Sequence, residues 1–490
     1  MAEGAREELG VLRMCRFVNE ISLFMKFCNS IFLIYWLLFL LASCSLSRQI
    51  SKQAEGLLND SAVSKGFTGI SIYEPFTGKY WYNYNATKYF TPASNTKLFS
   101  LYAGMKYLGD SLAGLKYQYA VGGGINIFPT ADPTFLHPDF EHQTVLDFLM
   151  KEKGKCYYSD WCWNEKALGF GWAWDDYNDD YMVERSSFPV YGNIIRLKYG
   201  NLQFSKRKVN IEWKAIPPYF SNNIDSINSY SLLQRNPDSV KGKTELLKFY
   251  VKRDWEGNTL RLIPASSIFT YQEIPFHTEN NSITVDILNK DFSLEIRRGK
   301  VVDTNFPLQD QPLGKTYMIH SQPSDSLFRP MMHRSDNFFA EQTLLMVSNE
   351  RLGNMNDEAI IDTLLRSDLK DIPQRPKWVD GSGLSRYNLF TPQSFIYILN
   401  KLYTEFGLKR LKSILPTGGE GTLKSFYTKD SGFIYAKTGT LSNNCSLSGF
   451  LITNRGKLLI FSILANHYQS SATLIRRATE RFLTDIRRKY

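Results

Sequence analysis

A serine hydroxyl becomes a useful nucleophile at neutral pH only when a base takes its proton, and a lysine serves as that base only as the free amine. Ser94-Asn95-Thr96-Lys97 sets such a pair three residues apart. On a helix that spacing puts both side chains on one face, a single turn apart. To act as the base, Lys97 must lose roughly three units from an ordinary value near 10.4. Burial supplies part of that drop, and a second cation more. Lys437, in Lys437-Thr438-Gly439-Thr440, is the candidate cation, and it also suits a substrate carboxylate. Between the two strings stands Ser335-Asp336-Asn337. Ser335 can relay a proton to a leaving amine, and the Asn337 amide can hold a peptide backbone by donating and accepting at once. Gly439 clears a side chain from a strand edge, so that a peptide can lie alongside as an added strand. Main-chain N–H groups near Ser94 and Thr440 would then face the oxyanion. The chemistry is acyl transfer through a serine ester.

The order of the strings carries more information than any one of them. Ser-x-x-Lys recurs at Ser205 to Lys208 and Ser367 to Lys370, and Ser-x-Asn recurs at Ser221, Ser226 and Ser442. Ser-Asp-Asn and Lys-Thr-Gly each occur once.

The elements that must position these side chains follow from local pattern. Gly69 to Tyr73 and Tyr80 to Tyr84 alternate around a turn with Pro75 and Gly78, which predicts a hairpin. From Ser94 onward, Leu98, Phe99, Leu101, Tyr102, Met105 and Leu108 recur at helical spacing, with Gly109 as a stop. Phe433 to Thr440, Ser446 to Thr453 and Leu458 to Asn466 read as consecutive strands, and Ser471 to Arg488 as a basic helix. The expected class is α+β, with a catalytic domain assembled from both chain ends, residues 50–118 and 314–490. More than twice as much chain separates Ser94 from Ser335 as separates Ser335 from Lys437. The intervening 119–313 reads as an inserted β-rich region of about two modules, strands being expected at Leu260 to Ile274 and Ser282 to Ile296.

With these strings the chain resembles the penicillin-binding protein 4 type of D-alanyl-D-alanine carboxypeptidases and endopeptidases, from about Gly69 to the C-terminus. Family-like strings include Pro92-Ala93-Ser94-Asn95-Thr96-Lys97, Asp132-Pro133-Thr134, Gly171-Trp172-Ala173-Trp174-Asp175-Asp176, Ser335-Asp336-Asn337-Phe338-Phe339-Ala340-Glu341, Asp380-Gly381-Ser382-Gly383-Leu384-Ser385-Arg386 and Leu415-Pro416-Thr417. The large insertion after the first motif is itself family-like. The resemblance implies a penicillin-binding, β-lactamase-like fold, with Ser94 acylated, Lys97 as general base, Ser335 and Asn337 as the second element, and Lys437, Thr438, Gly439 and Thr440 as the carboxylate and oxyanion wall. It further implies that Arg386 and Asp160 bind the substrate side chain, that peptidoglycan stem peptides are substrates, and that β-lactams inhibit. No cofactor is implied. Trp172 and Trp174 are expected to pack in the core rather than stack on substrate.

The remaining properties bound the setting. A net charge of +10 suits anionic envelope polymers, and no zinc spacing or RNA-binding aromatic signature points to nucleic acid. His137 and His142 form the only close histidine pair and lack a third ligand, so they read as loop or surface residues and no metal is expected. Ile31 to Leu41 is an apolar run short for a membrane span and suited to a secretory signal, with Met25 as the expected true start. It ends in Leu41-Ala42-Ser43-Cys44, which resembles a lipobox and predicts a periplasmic enzyme anchored to a membrane by lipid on Cys44. An uncleaved anchoring helix is the alternative. Cys156 and Cys162 either close a small disulfide loop or stay as buried thiols. Two other functions compete. A serine β-lactamase would need a glutamate to activate the deacylating water, and Lys370 to Pro376 has none. A non-catalytic envelope-binding lipoprotein would have no need of the complete set of reactive side chains.

Overall fold

A computed structural model describes residues 50–490 except 121–122, 153–154, 206–207, 224–248, 265–268 and 299–314. The apolar run 31–41 and Cys44 therefore lie outside the described residues, as does most of the middle of the insertion. No helix among the described residues is long and apolar enough to cross a membrane.

In chain order, β1 (Phe67–Glu74) and β2 (Lys79–Tyr84) form the expected hairpin, and a 3-10 turn, Ala93–Thr96, leads directly into α1 (Lys97–Tyr107). A second group of strands and helices follows. β3 (Ser111–Tyr119), β4 (Ile125–Pro129), α2 (Thr144–Lys151) and β5 (Cys156–Tyr158) come first, then β6 (Ile194–Ser205), β7 (Lys208–Ile216), β8 (Phe249–Arg253), β9 (Leu260–Pro264) and β10 (Tyr271–Pro275). α3 (Ser282–Phe292), β11 (Ile296–Arg298) and β12 (Tyr317–Pro323) complete the excursion. Then come α4 (Ser324–His333), α5 (Asn337–Leu352), α6 (Asp357–Arg366) and α7 (Pro392–Ile414), and finally β13 (Ile434–Leu441), β14 (Asn444–Ile452), β15 (Leu458–Asn466) and α8 (Ala472–Lys489).

One five-stranded sheet, in the order β13-β14-β15-β1-β2, joins the two ends of the chain through the antiparallel pair β1–β15. It is buried on both faces because alternate residues point to opposite sides. Phe450, Ile460 and Leu464 pack beneath α1, α4, α5 and α7, whereas Leu447, Leu451, Phe461 and Ile463 pack against α8. A second five-stranded sheet, β11-β5-β4-β3-β12, stands beside a three-stranded sheet β10-β6-β7 and a two-stranded ribbon β8-β9. These share a separate core that includes Leu115, Ile127, Phe188, Leu197 and Phe276. The class is α+β, as expected.

Two readings change, and two others are sharpened. Residues 282–292 form a helix, not a strand: Ile283, Ile287 and Leu288 are buried on one face, a helical repeat that β-branched composition obscured. Trp174 is 73% exposed instead of packing in a core. His137 lies in a loop, as expected, but is buried against Phe140 and Phe339, and burial drives it down to about 3. Cys156 and Cys162 are free buried thiols, raised by burial to about 12 and about 11.

Candidate active site

The geometry begins with a tight turn. Ala93 adopts a left-handed φ of 50°, unusual for a residue with a Cβ, and the chain then winds through a 3-10 turn so that Lys97 opens α1. The loop 380–383 packs against this turn. A Cβ on Gly383, where φ is 81°, would stand 2.0 Å from the Ala93 carbonyl oxygen. Gly439 serves the same junction from the other side: its missing Cβ would meet Ser446 Oγ at 2.2 Å and the Pro92 carbonyl oxygen at 2.6 Å. Gly439 therefore lets the Ser94 turn settle on the sheet, which differs from the expected role of clearing space for substrate.

Lys97 is fully buried and its Nζ has three oxygen neighbours, Ser94 Oγ at 3.0 Å, Asn337 Oδ1 at 2.6 Å and the Ser382 carbonyl at 2.8 Å. Two of these are carbonyl oxygens that only accept. A neutral amine can donate to both and turn its lone pair to the third, the Ser94 hydroxyl, which then donates to nitrogen. Burial lowers Lys97 from its ordinary value to about 8, against the opposing pull of Asp380, Glu341 and Asp336.

Ser335 sits at a φ of 63°, just ahead of α5, and Asp336 caps that helix by accepting from the Phe339 N–H at 3.0 Å. The cap fixes where Asn337 points. The Asn337 amide is occupied at both ends, accepting from Lys97 and donating to the Tyr181 carbonyl of the inserted region at 2.8 Å. It was expected to hold a peptide backbone, and in this structure it ties the insertion to the lysine.

Lys437 is also fully buried, and its Nζ donates to Ser335 Oγ at 2.8 Å and to the Thr438 carbonyl at 2.7 Å. Burial lowers it well below its ordinary value, and repulsion from Lys97 and Arg476 adds to the effect. β13 is an edge strand. On its outer side the Ala436 N–H donates to the Pro416 carbonyl at 3.1 Å, so by alternation the N–H groups of Thr438 and Thr440 point outward as well. Beyond Pro416 and Thr417, Thr440 is exposed at this edge, whereas Lys437, Thr438 and Gly439 are buried.

Ser94, Lys97, Ser335, Asn337, Lys437, Thr438, Gly439 and Thr440 thus come together from three places in the chain. Arg386 and Asp160 do not pair. Arg386 is exposed and reaches the Ser442 carbonyl at 3.5 Å, after β13, whereas Asp160 binds Arg298 at 3.2 Å and Asn281 at 3.4 Å within the inserted region. Sequence reading missed Arg476 of α8, which donates to Thr440 Oγ1 at 2.5 Å. The basic helix was visible, but nothing in it distinguished this arginine from its neighbours. It also missed Asp380, whose carboxylate accepts from Gly383 N, Ser385 N, Asn388 Nδ2 and Trp172 Nε1 and so shapes the loop against Ser94. No cluster of three or more potential metal ligands occurs among the described residues.

The profile of the D-Ala-D-Ala carboxypeptidase 3 (S13) family matches residues 50–486. The chain belongs to this family. The D-alanyl-D-alanine carboxypeptidase of Actinomadura sp. (strain R39) is 23% identical over 483 residues, covering 88% of this chain and 84% of that protein. The penicillin-sensitive carboxypeptidase A of Dictyostelium discoideum is 29% identical over 204 residues, and the match spans 38% of each chain. In fold, the chain is similar to the crystal structure of penicillin-binding protein 4 (dacB) from Haemophilus influenzae, with a TM-score of 0.64 at 19% identity over 89% of this chain and 98% of that one. The family resemblance read from the motifs is therefore sound.

Proposed function

We propose that this protein is a serine-type D-Ala-D-Ala carboxypeptidase and endopeptidase of peptidoglycan stem peptides, acting through an acyl-enzyme on Ser94 and inhibited by β-lactams. The observation that carries the reading is the contact of a fully buried lysine amine with Ser94 Oγ at 3.0 Å, with its other two neighbours unable to give it a proton. Family membership supplies the substrate class.

In the proposed first step Lys97 takes the Ser94 proton as Oγ attacks the carbonyl of the penultimate D-Ala. The peptide lies along the outer edge of β13, and outward N–H groups stabilise the oxyanion. Ser335, held by Lys437, passes a proton to the departing amine, and water later releases the acyl group. A substrate carboxylate beside Lys437 favours the ammonium form there, and repulsion between the two lysines then favours the free amine on Lys97. Substrate with a free C-terminus thereby helps to activate its own nucleophile.

Covalent labelling by a fluorescent penicillin tests this. The wild type is expected to label, and Ser94→Ala to abolish labelling with an unchanged circular dichroism spectrum. Label that persists on Ser205 or Ser367 would overturn the assignment.

The same reading includes two catalytic segments, 50–118 and 314–490, around an inserted 119–313, and export with lipid on Cys44 that holds the enzyme on a membrane facing the periplasm. Support comes from the apolar run and lipobox-like ending at 31–44. Mass spectrometry of the mature N-terminus is expected to find acylated Cys44, and an intact segment 31–41 would reject it.

A further inference from the structure

The chemistry above uses Lys97 but leaves a run of buried charge behind it unexplained. The Ser382 carbonyl accepts from Lys97 Nζ at 2.8 Å, and the Ser382 N–H donates to Glu341 Oε1 at 2.7 Å. Glu341, on α5, is 1% exposed. Its other oxygen has no hydrogen-bond partner among the described residues and stands 3.5 Å from Arg185 Nη1. Arg185 belongs to the inserted region and is equally buried. It also faces Asp357 at 2.5 Å and Glu165 at 3.1 Å, donates twice to the Lys166 carbonyl, and lies 5.6 Å from the Trp172 ring centroid.

An ion cluster that served only to join two parts of the chain would balance its charges. Here one guanidinium faces three carboxylates in a site closed to water, and Asp380 adds a fourth near Glu341, an excess that a low-dielectric interior accommodates by retaining protons. Burial accordingly lifts Glu341 to about 8 and Glu165 to about 7. Lys97 itself faces Glu341, Asp380 and Asp336 on one side and Lys437 on the other.

We propose that Arg185 and Glu341 are a positioning pair for the general base, through which the inserted region sets the orientation and basicity of Lys97. This rests on the reading of Ser94 and Lys97 as nucleophile and base. Glu341 fixes the residue whose carbonyl orients the amine, and its charge, when present, favours the ammonium form. Arg185 decides how readily that charge appears. Loss of a proton from Glu341 makes loss of the next from Lys97 harder, so the acid limb of acylation against pH is expected to be broader than a one-proton titration.

The test is the second-order rate of fluorescent-penicillin acylation across pH, with thermal unfolding measured alongside. Glu341→Gln keeps the oxygen that accepts from Ser382 and removes the charge. Its limb is expected to move to lower pH by about half a unit or more and to sharpen to one proton. Arg185→Met leaves Glu341 protonated through neutral pH and is expected to move the limb the same way, with no further movement in the double variant. Arg185→Lys keeps a cation and is expected to leave the limb in place, which serves if the methionine variant does not fold. A folded Glu341→Gln enzyme whose rate falls equally at every pH with an unmoved limb would overturn the pair, as would full additivity of the two shifts or a displaced limb in Arg185→Lys. A wild type not acylated on Ser94 would instead overturn the functional reading, and the pair with it.

Discussion

At the scale of single residues, the site turns on how two buried lysines divide their protons. Lys97 needs its lone pair free, and with a value near 8 roughly one molecule in ten has the free amine at pH 7. The fraction reaches about half near pH 8, so β-lactam acylation is expected to increase from pH 6 through pH 8 and to level only above about pH 9. With a substrate carboxylate bound, Lys437 holds its charge and opposes charge on Lys97, so removing it raises the pKa of Lys97 in the complex. In Lys437→Ala the acid limb is therefore expected to move to higher pH, and the preference for peptides with a free C-terminal carboxylate over their amides to shrink by about tenfold, the scale of one charge-assisted contact. Rate constants against pH for matched acid and amide peptides check both parts. An equal loss on acid and amide would leave Lys437 a purely electrostatic role.

At the scale of elements, two of the three catalytic strings sit where a helix begins, whereas Lys437 to Thr440 lies within β13. Leu458 to Asn466 matches β15 to the residue, and the basic helix expected over Ser471 to Arg488 is α8, with Ser471 as its cap. Gly439 was singled out for the right position and the wrong reason, because a close approach between a strand and a turn far away in sequence leaves no local signature. That approach makes a prediction. Gly439→Ala must displace either Ser446 Oγ or the backbone at Pro92, and the latter moves the turn that aims Ser94. Acylation is expected to fall by more than about tenfold, with a stability loss of about 1–3 kcal/mol, the usual range for overpacking. Acylation kinetics and urea unfolding of the variant measure both. A stability loss with normal acylation would mean that the strand, not the turn, absorbs the strain. α3 was misread because Ile283, Thr284, Val285 and Ile287 favour strands by composition, while the buried face that makes them helical forms only against the insertion's own core.

At the scale of the whole molecule, the inserted region is built into the site rather than appended to it. It reaches Asn337 through the Tyr181 carbonyl and Glu341 through Arg185, and Phe170 stacks on Tyr387, beside Arg386, at 5.2 Å. None of these contacts was legible in the sequence, because each joins residues separated by most of the insertion and depends on how its sheets dock. The rim they form bears on substrate choice. Stem peptides carry an ionisable group on the residue before the D-alanines, and Arg386 is exposed, its hydrogen bond among the described residues a weak 3.5 Å contact to Ser442, so its guanidinium is available to a carboxylate. Asp160 is less free, since Arg298 and Asn281 already hold it, and an incoming ammonium must compete with Arg298. Arg386→Gln is therefore expected to lower kcat/KM for a peptide with a zwitterionic side chain by about tenfold or more, and Asp160→Asn by less. Acylation by a simple penicillin, which lacks that side chain, is expected to stay near wild type in both. Parallel kinetics on the two substrates decide it: equal losses in Arg386→Gln would make the residue a support for the Ser442 turn, because only a side-chain reader separates substrates that share the same acyl-enzyme chemistry.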